Sequence, residues 1–197
     1  MFALLIISFS YDGYIFTKIF KILFLIILCC SFSLIDDIFL VSARLKLLFQ
    51  IIISIFLIVF EFRIDFFNIQ GLDLFLNIAF FLVVFNITNF FDNFDGALTS
   101  IYLPTFLYFL IFCFLFKLDI YIKLIASFYF FSFIIFYYFN SFPSKIFMGD
   151  IGSSQIALIS IILGYEVFWT NYDYVNSLNF LTSFFENFIF YLILSID

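Results

Sequence analysis

Charge is scarce in this chain. Only 11% of its 197 residues are Asp, Glu, Lys or Arg, against about a quarter in soluble domains. With 66% hydrophobic residues, that deficit excludes a water-soluble globule and implies a polytopic membrane protein. Basic residues are scarcer still, eight against fourteen acids, and they form no patch, which excludes nucleic acid as a partner. Cys29, Cys30 and Cys113 all lie in apolar runs, with neither zinc-ligand spacing nor a paired secreted framework, so they read as buried thiols. No long segment alternates apolar with polar residues, so helices are expected in place of a lipid-facing barrel. Met1 to Ser10 has no basic start and no small-residue cleavage site, which argues against a cleaved leader. That stretch is short for a crossing and reads as the tail of a longer helix or a truncated one.

What is abundant is phenylalanine, 39 residues of it, read as bulk that faces lipid or fills the bundle. A span needs roughly 20 apolar residues of helix, and approximate candidates run over 14–35, 45–61, 72–91, 97–116, 120–139, 154–170 and 178–195. The expected fold is therefore all-α, a polytopic transmembrane bundle of about seven spanning helices forming one domain over 1–197. Three short polar breaks carry five of the fourteen acids: Asp36-Asp37, Asp92 with Asp95, and Asp150. Each break lies two apolar segments from the next, so all three are expected on one membrane face. Asp12, Asp65, Asp73, Asp119 and Asp173 read as solvated loop acids.

Arg44, Lys46 and Lys145 mark the acid-bearing side, whereas Arg63, Lys117, Lys18, Lys21 and Lys123 lie towards the other. That count does not place the acids in the cytoplasm; the cytoplasmic assignment rests on chemistry alone. Clustered carboxylates at a membrane surface are what a hard divalent cation and a phosphoryl group require.

In the first break, adjacent Asp36 and Asp37 end a helix and cannot point the same way, so one can orient a cation while the other faces a substrate; both could instead be solvated. Arg44 and Lys46 follow, within reach of phosphate oxygens. In the second, Asn86, Asn89 and Asp92 are spaced by three and stack on one helical face, a polar stripe that is costly at membrane depth unless it lines a cavity or site. Asp95-Gly96 could serve only as an N-cap. In the third, glycines flank Asp150 and let backbone approach a ligand, while Ser153 or Ser154 can start a helix whose free amides favour anions.

Leu34-Ile35-Asp36-Asp37, Asn86-Ile87-Thr88-Asn89-Phe90-Phe91-Asp92 with Asp95-Gly96, and Pro143-Ser144-Lys145-Ile146-Phe147-Met148-Gly149-Asp150-Ile151-Gly152-Ser153 resemble the polyprenyl-phosphate N-acetylhexosamine-1-phosphate transferases. That family includes undecaprenyl-phosphate N-acetylglucosamine-1-phosphate transferase and phospho-N-acetylmuramoyl-pentapeptide transferase. The resemblance implies transfer of a sugar-1-phosphate from a UDP-N-acetylhexosamine to a polyprenyl phosphate lipid, with release of UMP, in cell-envelope glycan synthesis such as that of lipopolysaccharide or peptidoglycan. It implies Mg²⁺, with Mn²⁺ as a substitute, and an integral protein of the inner (plasma) membrane with its active face cytoplasmic. Asp150 and Asn89 are the implied metal ligands. Asp36 or Asp37 would orient or deprotonate the lipid phosphate, and Asp92 and Asp95 would complete the electrostatic cradle. Asn86 and Asn140 would hold nucleotide or sugar, and Lys46 and Lys145 would meet phosphate.

The chain also departs from that family. Asn93 stands where members carry glycine, and Gly96-Ala97 where they carry Gly-Leu, so a less tightly turned second loop is expected. There is no histidine, although the family places a His-bearing loop after a helix near where Leu194-Ser195-Ile196-Asp197 stands. The expectation is a domain incomplete at both ends, with a second copy or a companion chain supplying missing segments, or an inactive remnant. A cation transporter is the rival from another class, and it would need acids at different depths.

Overall fold

The computed structural model describes residues 13–39, 41–65, 67 and 69–169. These form α1 (Gly13–Phe39), α2 (Ala43–Val59), α3 (Gln70–Phe91), α4 (Ala97–Leu115), α5 (Ile120–Asn140) and α6 (Gly149–Gly164), the last continuing into a π-helical turn, Tyr165–Trp169. No strand occurs among the described residues, as the absence of period-2 alternation predicts. Among the described residues, five helices are long and apolar enough to cross a membrane: α1, α3, α4, α5 and the continuous stretch Gly149–Trp169. The expected span over 45–61 folds as the 17-residue α2, at the short end of the length that crosses a bilayer. The expected span 178–195 and the acids Asp12 and Asp173 lie outside the described residues. Of the seven expected spans, five are found among the described residues.

The described residues divide into two compact units. The first contains α1, α2, α3 and α6 as far as Ile162. Its interior is apolar, with Ile22, Leu25, Ile53, Leu57, Phe81 and Ile159 essentially inaccessible. Phe32 and Phe49 stack face to face between α1 and α2, centroids 3.7 Å apart, and Phe24 meets Phe56 and Phe60 edge-on. The second unit contains α4, α5, the α5–α6 connection as far as Ile146, and the π turn. Phe106, Phe109, Phe133 and Tyr121 fill it, and Phe168 packs against Phe109 and Phe112.

Large apolar side chains cover the outside of both units: Phe20, Phe75, Phe128 and Ile135 are each about two-thirds exposed. On a water-soluble protein such a surface would aggregate; here it matches hydrocarbon.

The α2–α3 connection is tied down by buried polar groups. Asn77 accepts from the Ile64 amide at 2.8 Å and donates to the Ile64 carbonyl at 2.7 Å, and Asp73 accepts from the Phe67 amide at 2.9 Å. Asp73 is only 6% exposed, which corrects its reading as a solvated loop acid. A connection that lies against helices has backbone groups needing partners, and Asp73 and Asn77, one turn apart, provide them.

Candidate active site

In the first unit, the C-terminal ends of α1 and α3 and the N-terminal ends of α2 and α6 come together. Asp36 and Asp37 lie in the last turn of α1. They diverge as neighbouring residues on a helix must. Asp36 is buried, its Oδ1 accepting the Val41 amide at 3.1 Å. Asp37 is exposed, and its Oδ1 accepts the Asp150 amide at 3.3 Å. Asp150 occupies the first turn of α6, and its side chain shares a cation with Asp36. Lys46 Nζ lies 2.6 Å from Asp36 Oδ2 and 2.7 Å from Asp150 Oδ2. Asp36 Oδ2 is buried and receives no well-directed hydrogen bond, so the Lys46 charge is what compensates it.

Asn89 directs Nδ2 onto Asp150 Oδ1 and, at 3.3 Å, onto the buried Ser153 hydroxyl. One turn further along α3, Asp92 is 6% exposed and accepts the Met148 amide at 3.0 Å and the Gly149 amide at 2.8 Å, one on each oxygen. Burial raises the Asp92 pKa, and the two amides oppose that rise. Asn86 faces outward and donates to Gln50 Oε1 at 3.1 Å and to the Leu82 carbonyl. The predicted stripe is real, but it grades from exposed Asn86 through Asn89 to buried Asp92.

Two sequence expectations about α6 change. Its helix starts at Gly149, not at Ser153 or Ser154, so Asp150 is helical. The amides of Met148, Gly149 and Asp150 at its start are received by Asp92 and Asp37, so these three are not open to an anion. Carboxylates fixed at a helix start occupy the donors that a phosphate would use. The flanking glycines also serve the fold. Gly149 has φ +69°, open to glycine at little cost, and a Cβ on Gly152 would lie 2.7 Å from Met148 Cβ.

Asn93 explains how the second loop turns without the family's glycine. Its side chain donates to the Asn89 and Phe90 carbonyls at 2.9 and 3.3 Å, closing the end of α3.

In the second unit, Asp95 does not cap α4; the N-cap is Gly96, at φ +71° with no side-chain cap. Asp95 instead accepts the Ser144 hydroxyl at 2.5 Å and the Ser144 amide at 3.1 Å, bonds that hold its pKa below the usual range. Asn140 is fully buried; it accepts from Thr99 Oγ1 at 3.2 Å and donates to the Ile146 carbonyl at 3.1 Å. Lys145 is exposed, its ammonium 5.8 Å above the Tyr138 ring. Among the predicted residues, Asp36, Asp37, Lys46, Asn89, Asp92 and Asp150 meet in the first unit; Asp95, Asn140 and Lys145 belong to the second. Sequence reasoning missed Gln50, Thr99, the contact of Ser153 with Asn89 and the capping role of Asn93. Only Asn93 left a signal, as a departure from the expected glycine.

A narrow cleft adjoins the centre. Asp36, Lys46, Asn89 and Gln50 line it together with Phe32, Phe49, Ile53 and Phe85, joining a charged wall to an apolar one.

The donor set suits a hard cation. Carboxylate oxygens of Asp36 and Asp150 converge on the Lys46 ammonium, and the Asn89 amide beside Asp150 carries a further hard oxygen. Among the described residues no three Asp, Glu, His or Cys side chains gather as a metal cage. Mg²⁺ does not need one, because it is bound through one or two carboxylates plus water and substrate phosphate.

Lipid-facing helices, one unit of which gathers acids, an amide and a lysine at its helix ends, describe an integral membrane protein with a polar centre. Residues 19–168 match Glycosyl transferase family 4, and the chain belongs to that family, a family of transferases that includes the polyprenyl-phosphate hexosamine-1-phosphate enzymes. No curated protein and no solved structure matches the chain significantly.

Proposed function

We propose that this chain transfers an N-acetylhexosamine-1-phosphate from a UDP-sugar to polyprenyl phosphate and releases UMP. The observation that carries this reading is the convergence of Asp36 and Asp150 on Lys46, beside Asp37 and Asn89. Two anionic reactants must meet there, and their repulsion sets much of the barrier. Lys46 supplies one fixed positive charge for a phosphate oxygen. Exposed Asp37 faces outward, where it can orient the lipid phosphate or take its proton. An oxygen of the lipid phosphate attacks the phosphorus that bears the sugar, and the bond from that phosphorus to the UMP oxygen breaks. The apolar wall of Phe32, Phe49, Ile53 and Phe85 offers the prenyl chain a dry surface beside the charged one.

Asp150, Asn89 and Asp36 would hold Mg²⁺, with Asn89 turning its amide oxygen inward. When bound, the ion neutralises the diphosphate and lowers the cost of charge in the transition state. The active face is assigned to the cytoplasm because UDP-sugars are made there.

The test is UMP release from UDP-N-acetylglucosamine by membranes containing the full chain and undecaprenyl phosphate. Wild type should turn over with Mg²⁺, and Asp150→Asn should lose at least a hundredfold. A wild-type chain that binds Mn²⁺ but releases no UMP with any UDP-N-acetylhexosamine would mark it as an inactive relative.

A further inference from the structure

Asp92 lies where a carboxylate is least welcome. It is the C-cap of α3, at the negative end of that helix dipole, and it is nearly inaccessible to water. What compensates it is the start of α6: its two oxygens receive the amides of Met148 and Gly149, at the positive end of the facing helix. Those amides lead into the left-handed residue Gly149, directly before Asp150. One turn back on α3, Asn89 touches the Asp150 carboxylate itself. Helix α3 therefore grips the same turn twice, by backbone through Asp92 and by side chain through Asn89.

We propose that Asp92 is a positioning residue that acts through the Met148 and Gly149 amides: it fixes the turn at Gly149 and so aims the Asp150 carboxylate into the centre. This rests on the proposed metal-dependent transfer, and it removes Asp92 from the groups that touch substrate or ion. Both Asp92 oxygens are committed to backbone, and burial keeps them from a diphosphate.

The experiment uses the purified full chain in nanodiscs, with Mn²⁺ binding followed by electron paramagnetic resonance and hydrogen–deuterium exchange followed over residues 146–152. Asp92→Ala should speed exchange in that segment and weaken Mn²⁺ binding about tenfold, the usual effect of removing a group that orients a ligand. Asp92→Asn keeps one acceptor oxygen and should fall between the two. Asp150→Asn should abolish Mn²⁺ binding without speeding exchange. In turnover, Asp92→Asn should lower kcat while KM for the UDP-sugar stays within about twofold, because no substrate contact is lost.

Wild-type Mn²⁺ affinity in a folded Asp92→Asn or Asp92→Ala chain, or a rise in KM as the main defect, would overturn the proposal while leaving the metal centre intact. A wild-type chain that binds no Mn²⁺ would overturn the metal centre itself, and the positioning role with it.

Discussion

Lys46 holds a single charge between two carboxylates, and this makes it a competitor for any cation that uses the same oxygens. Lys46→Met should tighten Mn²⁺ binding by roughly fivefold, because about 1 kcal/mol of like-charge repulsion is removed at this partly exposed site. The same variant should slow UMP release, since a phosphate loses its counter-charge. A metal titration and a turnover assay on one preparation check both signs, and weaker Mn²⁺ binding would show that Lys46 only supports the fold. Asp95 offers a pH test. Its folded pKa is lowered by the Ser144 bonds, so their contribution is present above about pH 4, the unfolded value, and is lost as pH falls through the folded one. Exchange over residues 141–146 should rise in acid, and Ser144→Ala should flatten that dependence.

At the scale of elements, α6 depends on two glycines for different reasons. Gly152→Ala sets a Cβ 2.7 Å from Met148 Cβ and should cost about 1–3 kcal/mol of overpacking. Gly149→Ala forces a left-handed alanine at roughly 1–2 kcal/mol. Thermal unfolding in detergent measures both, and wild-type stability for Gly149→Ala would mean that the turn is not held at positive φ. On α3, Asn77→Leu leaves the Ile64 amide and carbonyl without their partner and should cost about 2 kcal/mol. These elements show where sequence reading stops. The three-residue spacing of Asn86, Asn89 and Asp92 revealed a shared face, because helical geometry is local. Their different burial depends on which neighbours cover each turn. Asp73 shows the same limit: its carboxylate is buried by a connection whose path no local pattern encodes.

At the scale of the molecule, the first unit places its acid-bearing helix ends together and its α2–α3 connection at the opposite ends of α2 and α3. Single cysteines in a background free of the native three should therefore label in two groups. Positions 38, 93 and 147 should react from one side of a sealed vesicle, and positions 61 and 69 from the other. Mixed labelling within either group would break the topology. A transport pathway would need acids along the depth of the unit. Here Asp36, Asp37, Asp92 and Asp150 crowd one end, and Asp73 near the other is bound to the Phe67 amide.

Sequence alone settled the helical membrane class, the three polar breaks and their common side, and the family that residues 19–168 establish. Hydropathy, helical period and motif spacing are properties of neighbouring residues, and they survive without a fold. Tertiary structure decided which acids share a cation and that Asp92 and Asp37 take the amides at the start of α6. Those outcomes depend on distances between groups as many as 113 positions apart, which are set only when the helices pack.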